Sequence, residues 1–187
     1  MTFATDLSRA RVRRITTGHD PSGRAVIVED KQCVGTGLAE DGERTPATFF
    51  QLWASHEMPV SLTDEAMTRQ REGSMTTILG TGAGSVLRIG VLAPGARSPM
   101  HRTESLDYGI CLEGECDMEL DGGEVVTVHA GDVVIQRGTN HVWHNRSGQP
   151  CRFAWVLIDA EPITVDGQRL EAIWQDDEPA AHPREQA

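Results

Sequence analysis

Between residues 84 and 160 the chain is a succession of short apolar or alternating segments, each ended by glycine, aspartate or asparagine. The segments read SVLRIGVL, DYGICL, ECDMEL, EVVTV, DVVIQ, HVWHN and CRFAWVLI, with turn signals such as Asp121-Gly122-Gly123 between them. Many short strands joined by tight turns indicate an antiparallel sandwich or barrel. We therefore predict an all-β fold.

The chain of 187 residues is long enough for one domain with extensions. We expect a β-rich N-terminal extension over residues 1–74, a barrel over 75–173 and a polar tail over 174–187. In the extension, RVRRITT and RAVIVED predict a hairpin, PATFFQLWAS predicts a further strand, and SLTDEAMTRQRE predicts a short helix.

The apolar strand PATFFQLWAS also bears on assembly. A bare edge strand that carries Phe49, Phe50 and Trp53 is an aggregation hazard. We therefore expect the N-terminal extension to cover the barrel or to exchange strands with a partner subunit, which gives a homodimer.

The acidic balance of the chain limits its other partners. Seventeen basic and 28 acidic residues give a formal charge of −11, which opposes binding to nucleic acid or to anionic lipid. No apolar run approaches the roughly 20 residues that span a bilayer, and the first residues lack the apolar stretch of a signal peptide. We expect a cytoplasmic protein that binds a small molecule, with no nucleic-acid or membrane partner.

Two motifs with histidines lie within the strand-rich block. Residues 95–114 read G-ARSPM-H-R-T-ESL-D-YGICLE-G, and residues 131–145 read G-DVVIQ-R-G-TN-H-VWH-N. Together they resemble the two motifs of the cupin superfamily, G-x5-H-x-H-x3or4-E-x6-G and G-x5-P-x-G-x2-H-x3-N. In this chain Thr103 stands at the second histidine position, Asp107 at the glutamate position and Arg137 at the proline position. The second motif also has one residue fewer before its histidine.

The resemblance implies a single cupin-type antiparallel β-barrel, or jelly roll. Side chains alternate between the two faces of a strand. His101, Thr103 and Asp107 therefore share a face wherever their segment is extended, and so do His141 and Trp143. In the cupin barrel that face points inward. The resemblance thus implies that two imidazoles and one carboxylate meet in one cavity.

Two kinds of chemistry fit these residues, and the sequence leaves both open. In the first, His101, Asp107 and His141 bind one divalent metal ion, since two histidines and a carboxylate suit Fe, Zn, Mn or Ni. In the second, the site holds no metal, one histidine acts as general acid or base, and Asp107 fixes its tautomer and charge.

The resemblance predicts a small-molecule enzyme with its active site inside the barrel. Thr103, Cys111 and Trp143 are the predicted substrate-binding residues. We favour a lyase, dehydratase, decarboxylase or isomerase, because the ligand set departs from the three histidines and one glutamate of the common cupin dioxygenases. An Fe(II)-dependent dioxygenase and a non-catalytic ligand-binding or sensor cupin are the alternatives, since a fold alone does not fix a function.

Overall fold

The structure is a computed structural model that describes residues 11–37, 47–63 and 84–175. Within these ranges every regular element is a β-strand, and all strand pairs are antiparallel. No helix in the described ranges is long and apolar enough to cross a membrane. Most of the predicted helix and of the polar tail lies outside the described residues.

The strands follow one another at short intervals along the chain. Their bounds are β1 Val12–His19, β2 Ala25–Cys33, β3 Thr36–Gly37, β4 Ala47–Ser55, β5 Ser85–Leu92, β6 Met100–Arg102, β7 Ser105–Glu113, β8 Glu115–Leu120, β9 Val125–His129, β10 Val133–Arg137, β11 His141–His144, β12 Cys151–Asp159, β13 Thr164–Val165, β14 Gln168–Arg169 and β15 Ile173–Gln175. All seven predicted strands of the block after residue 84 are present. The all-β prediction is confirmed.

Two sheets form the barrel. One has six strands in the order β10-β7-β12-β5-β4-β3, and the other has five in the order β15-β6-β11-β8-β9. In β12, the residues from Cys151 to Ile158 alternate between buried and half-buried, because one face of the strand lies on the core. The main hydrophobic cluster draws Phe153 and Leu157 from the first sheet and Cys116, Val128 and Trp143 from the second. The core therefore lies between the two sheets.

Tight turns join neighbouring strands where the sequence has glycine. Gly131 has a φ of 96°, a left-handed conformation that glycine adopts without the steric cost of a Cβ atom. Its N–H donates to the carbonyl of Cys111, and the N–H of Cys111 donates to the carbonyl of Asp132. The turn before β10 is therefore fixed against β7, which carries half of the first motif.

The N-terminal strands lie against the barrel of their own chain. Strands β1 and β2 form the predicted hairpin. Strand β4 pairs with β5 along its whole length, and its Phe50 and Leu52 are buried in a second cluster with Val12 and Val91. We expected this apolar strand to need a partner subunit or a cover. The structure supplies the pairing within one chain, because β4 extends the six-stranded sheet.

Candidate active site inside the barrel

The two motif histidines lie side by side on adjacent strands. His101 on β6 and His141 on β11 are direct partners in the antiparallel register, and their ring centroids are 4.1 Å apart. Both are buried, with 7% and 2% of their surface exposed. The two imidazoles therefore lie close together on one side of the sheet, as expected, and their binding of a shared ligand stays a prediction.

Backbone carbonyls fix the tautomer of both rings. His101 Nδ1 lies 2.9 Å from the carbonyl oxygen of Pro99, and His141 Nδ1 lies 3.0 Å from that of Thr139. A carbonyl oxygen can only accept a hydrogen bond, so each Nδ1 carries the proton. In a neutral ring the lone pair is then on Nε2, the atom that would bind a metal or accept a proton.

Asp107 is held by two hydroxyl groups. Ser105 Oγ donates to Asp107 Oδ1 at 2.5 Å and lies 2.8 Å from Thr103 Oγ1. Thr103 Oγ1 donates to the other carboxylate oxygen at 3.4 Å. Ser105 and Asp107 are buried, with 2% and 5% exposure. Thr103, at the position of the second motif histidine, therefore contacts the carboxylate.

Burial sets the charges of this cluster. It lowers the pKa of His101, and together with the charge of His101 it lowers the pKa of His141 to about 3. Both rings are therefore neutral at neutral pH. Burial raises the pKa of Asp107, whereas the hydrogen bond from Ser105, the charge of Arg88 and the contact with Thr103 lower it. A desolvated carboxylate is a better proton acceptor than one in water.

The predicted metal ligands do not come together as a set of three. Across residues 11–37, 47–63 and 84–175, no group of three or more His, Cys, Asp or Glu side chains is placed so that it could hold a metal ion. His101 and His141 supply an adjacent pair of nitrogen donors, whereas the carboxylate of Asp107 is bound to hydroxyls. A divalent metal at this site stays a prediction.

Aromatic rings line the inner face next to the histidines. Trp143 meets His141 edge-on at 6.1 Å, and its ring centroid lies 4.9 Å from Phe153 and 6.0 Å from Trp155. Phe153 and Trp155 are stacked at 5.1 Å. Trp143 is 6% exposed, so it forms part of an aromatic wall. Its contact with a substrate stays a prediction.

Cys111 lies deeper in the hydrophobic cluster, in which Cys116 and Cys151 are also buried. Its Sγ lies 3.7 Å and 3.6 Å from the carbonyl oxygens of Glu113 and Gly114. Burial raises the pKa of the Cys111 thiol to about 11, so the thiol is protonated and behaves as a small apolar group. A role for Cys111 in substrate binding also stays a prediction.

Two inward-facing polar residues were not predicted from the sequence. Gln136 on β10 is paired with Asp107 in the register of the sheet and is 4% exposed. Arg88 on β5 is paired with Trp155, and its charge acts on Asp107, His101 and His141. The alternation of β10, in which Val134 and Gln136 share a face, was the available signal for Gln136.

Comparison with known proteins agrees with this architecture. A family model described as a cupin domain matches residues 88–157. The cupin-domain-containing oxidoreductase fogC of Aspergillus ruber is 36% identical over 168 residues, which cover 87% of this chain and 79% of that protein. The chain belongs to the cupin superfamily.

Other relatives of this cupin carry names from biosynthetic gene clusters. Phomopsin biosynthesis cluster protein C' of Diaporthe leptostromiformis is 39% identical over 163 residues, covering 86% of this chain and 85% of that protein. Among solved structures, the polyketide cyclase RemF of Streptomyces resistomycificus is 20% identical with a TM-score of 0.47, covering 78% of this chain and 82% of that one.

Proposed function

We propose that this cupin is a small-molecule enzyme that transfers protons inside its barrel, in a lyase, dehydratase, decarboxylase or isomerase reaction. The observation that carries the proposal is a buried carboxylate, Asp107, held by two hydroxyls in a barrel whose inner face also carries two adjacent histidines. The names of the relatives, which include biosynthesis cluster proteins and oxidoreductases, support an enzymatic role.

Asp107 is the proposed general base. The Ser105 hydrogen bond orients one carboxylate oxygen, and burial removes the water that would otherwise stabilise the negative charge. A substrate C–H or O–H next to the carboxylate would transfer its proton to Asp107. His101 and His141, neutral and with Nδ1 fixed, would accept hydrogen bonds from substrate hydroxyls at Nε2.

An oxidoreductase is the second candidate, because four of the relatives are named cupin-domain-containing oxidoreductases. The mass of the product separates the two. Purified protein is incubated with a small-molecule extract of its source organism, and the metabolites are compared by mass spectrometry. A product that differs from its substrate by water, by carbon dioxide or by nothing supports proton transfer. A gain or loss of hydrogen without oxygen, or of oxygen without hydrogen, supports an oxidoreductase.

Single substitutions then test the residues. We expect Asp107→Asn, His101→Ala and His141→Ala each to abolish the reaction or reduce it strongly. Their thermal midpoints should stay close to that of the parent, because polar groups held for function are costly to stability. Asp121→Asn, in the exposed turn between β8 and β9, is the control and should be fully active. Full activity of Asp107→Asn, or a ligand that binds and is recovered with its structure unchanged, would overturn the proposal.

The question of a metal has its own measurement. Asp107→Glu restores the carboxylate length of the usual cupin motif. If the site binds a metal, elemental analysis of this variant should show a higher metal content than the parent. If Asp107 is a base fitted to its present position, the variant should lose rate with no change in metal content.

A further inference from the structure

Arg88 is a cation on the inner face of the barrel. Strand β5 places it directly opposite Trp155 of β12, and Trp155 belongs to the main core cluster. Its guanidinium carbon lies 5.5 Å from the ring centroid of Phe49 and 5.9 Å from that of Trp155. Two aromatic rings therefore hold the guanidinium in position through cation–π contact.

The space for this arrangement depends on Gly90, two residues further along β5 on the same face. A Cβ atom at Gly90 would lie 2.5 Å from Cζ3 of Trp155 and 2.8 Å from Cε1 of Phe49. Only a residue without a side chain lets both rings approach β5 so closely. The two rings, and the guanidinium that contacts both, are therefore placed by the packing of three strands.

The guanidinium of Arg88 lacks a charged partner among the described residues. Its Nε is buried without a hydrogen-bond partner, and no described carboxylate lies within ion-pair distance of Arg88. The nearby Asp107 bonds to Ser105 and Thr103 instead. The Nε of Arg152, on the outer face of β12, also lacks a hydrogen bond, but that side chain has Glu113 at 3.6 Å.

A buried charge is costly unless it is paired, and buried polar groups are as a rule hydrogen-bonded. Burial lowers the pKa of Arg88 and the charge of Asp107 raises it, yet a guanidinium stays protonated in proteins. Part of the Arg88 side chain is exposed to solvent, whereas its Nε is buried. The group that would complete this site is an anion.

We propose that Arg88 binds the carboxylate of a small organic acid inside the barrel, on the inner face that also carries His101, His141 and Asp107. A planar guanidinium matches a carboxylate in two parallel hydrogen bonds. A single arginine flanked by aromatic rings suits a singly charged, apolar or aromatic acid. This inference rests on the proposed function, because it assigns the substrate class of the same site.

Binding of benzoate, with benzamide as its uncharged counterpart, tests the inference without any reaction. In calorimetric titration of the full chain we expect benzoate to bind at least about tenfold more tightly than benzamide or inorganic phosphate, as a charge-assisted pair implies. Equal affinities, no binding of benzoate, or tighter binding of phosphate would overturn the inference.

Variants of Arg88 test whether this residue binds the carboxylate of benzoate. Arg88→Met should weaken benzoate binding at least about tenfold, and Arg88→Lys should weaken it less, because a lysine keeps the charge but loses the paired donors. Arg152→Met removes a cation from the opposite face of β12 and should bind benzoate as the parent does. Unchanged binding by Arg88→Met would refute the assignment. If Arg88→Met does not fold, Arg88→Lys and the benzamide comparison still decide.

Asp107→Asn separates this inference from the proposed function. Removing the negative charge beside Arg88 should leave benzoate binding unchanged or tighter, since an anion is no longer repelled. Loss of turnover with retained benzoate binding supports both proposals. Retained turnover by Asp107→Asn, with benzoate binding that depends on Arg88, refutes only the proton-transfer function. Weaker benzoate binding by Asp107→Asn refutes the proposed carboxylate site at Arg88.

Discussion

Gly90→Ala should destabilise the barrel and disturb the site together. Gly90 is buried on β5, between Phe49 of β4 and Phe153 of β12 in the register of the sheet. The added Cβ would meet Trp155 at 2.5 Å and Phe49 at 2.8 Å. Carbon atoms in contact prefer about 3.5 to 4 Å, so each ring has to withdraw by about 1 Å.

The size of the effect follows from two opposing contributions. Forcing a methyl group into a packed core costs about 1 to 3 kcal/mol. Replacing glycine with alanine also restricts the unfolded chain, which stabilises the protein by about 0.4 to 1 kcal/mol. We expect a net decrease of about 1 to 2 kcal/mol in the free energy of unfolding.

Urea unfolding of the parent and two variants measures this difference. Gly148→Ala is the matched control, because a Cβ atom at Gly148 meets nothing within 4 Å; it should be as stable as the parent or slightly more stable. Gly90→Ala should also weaken benzoate binding, since its clash displaces the rings beside Arg88. A Gly90→Ala protein as stable as Gly148→Ala would refute this account of the packing.

Three further predictions concern stability and assembly. Asn145 is fully buried, donates to the carbonyls of Leu92 and Gln149 and accepts from Ser147. In urea unfolding, Asn145→Ala should therefore lower the free energy of unfolding by about 2 to 4 kcal/mol, and Ser147→Ala should lower it clearly less. Equal losses in the two variants would contradict this. The pKa of His141 is about 3 in the folded protein and 6.5 in the free group, so between these pH values only the unfolded chain takes up this proton. The free energy of unfolding should therefore fall as the pH drops from about 6.5, by at most about 1.4 kcal/mol per pH unit. Protonation of Asp107, whose pKa is raised, offsets part of that loss, and a profile from His141→Gln as steep as that of the parent would argue against the assignment. The β1–β2 hairpin exposes apolar side chains, including Ile27 at 64%, so light scattering should show a dimer, and a monomer at micromolar concentration would refute that expectation.

The sequence alone determined the strands and the pair of histidines. Alternation and turn signals are local properties, so each strand from β5 to β12 that the patterns indicated is present. His101 and His141 could be placed together because the cupin resemblance supplied the pairing of two distant strands. The same patterns predicted β4, but they could not supply its partner β5, whose paired residues lie thirty or more positions further along the chain.

The partners of the polar groups were decided only by the tertiary structure. Strand β5 is apolar on both faces, because Leu87 and Ile89 pack on the outer cluster under the N-terminal strands while Val86 packs in the main core. Its alternation therefore could not show that Arg88 points inward. Nor could spacing show that Asp107 binds hydroxyls instead of joining the histidines as a ligand. Ser105 and Thr103 lie two and four residues before Asp107, so alternation allows these contacts. Whether the carboxylate meets these hydroxyls or the histidines depends on side-chain distances of a few tenths of an ångström, which are set only when the strands pack together.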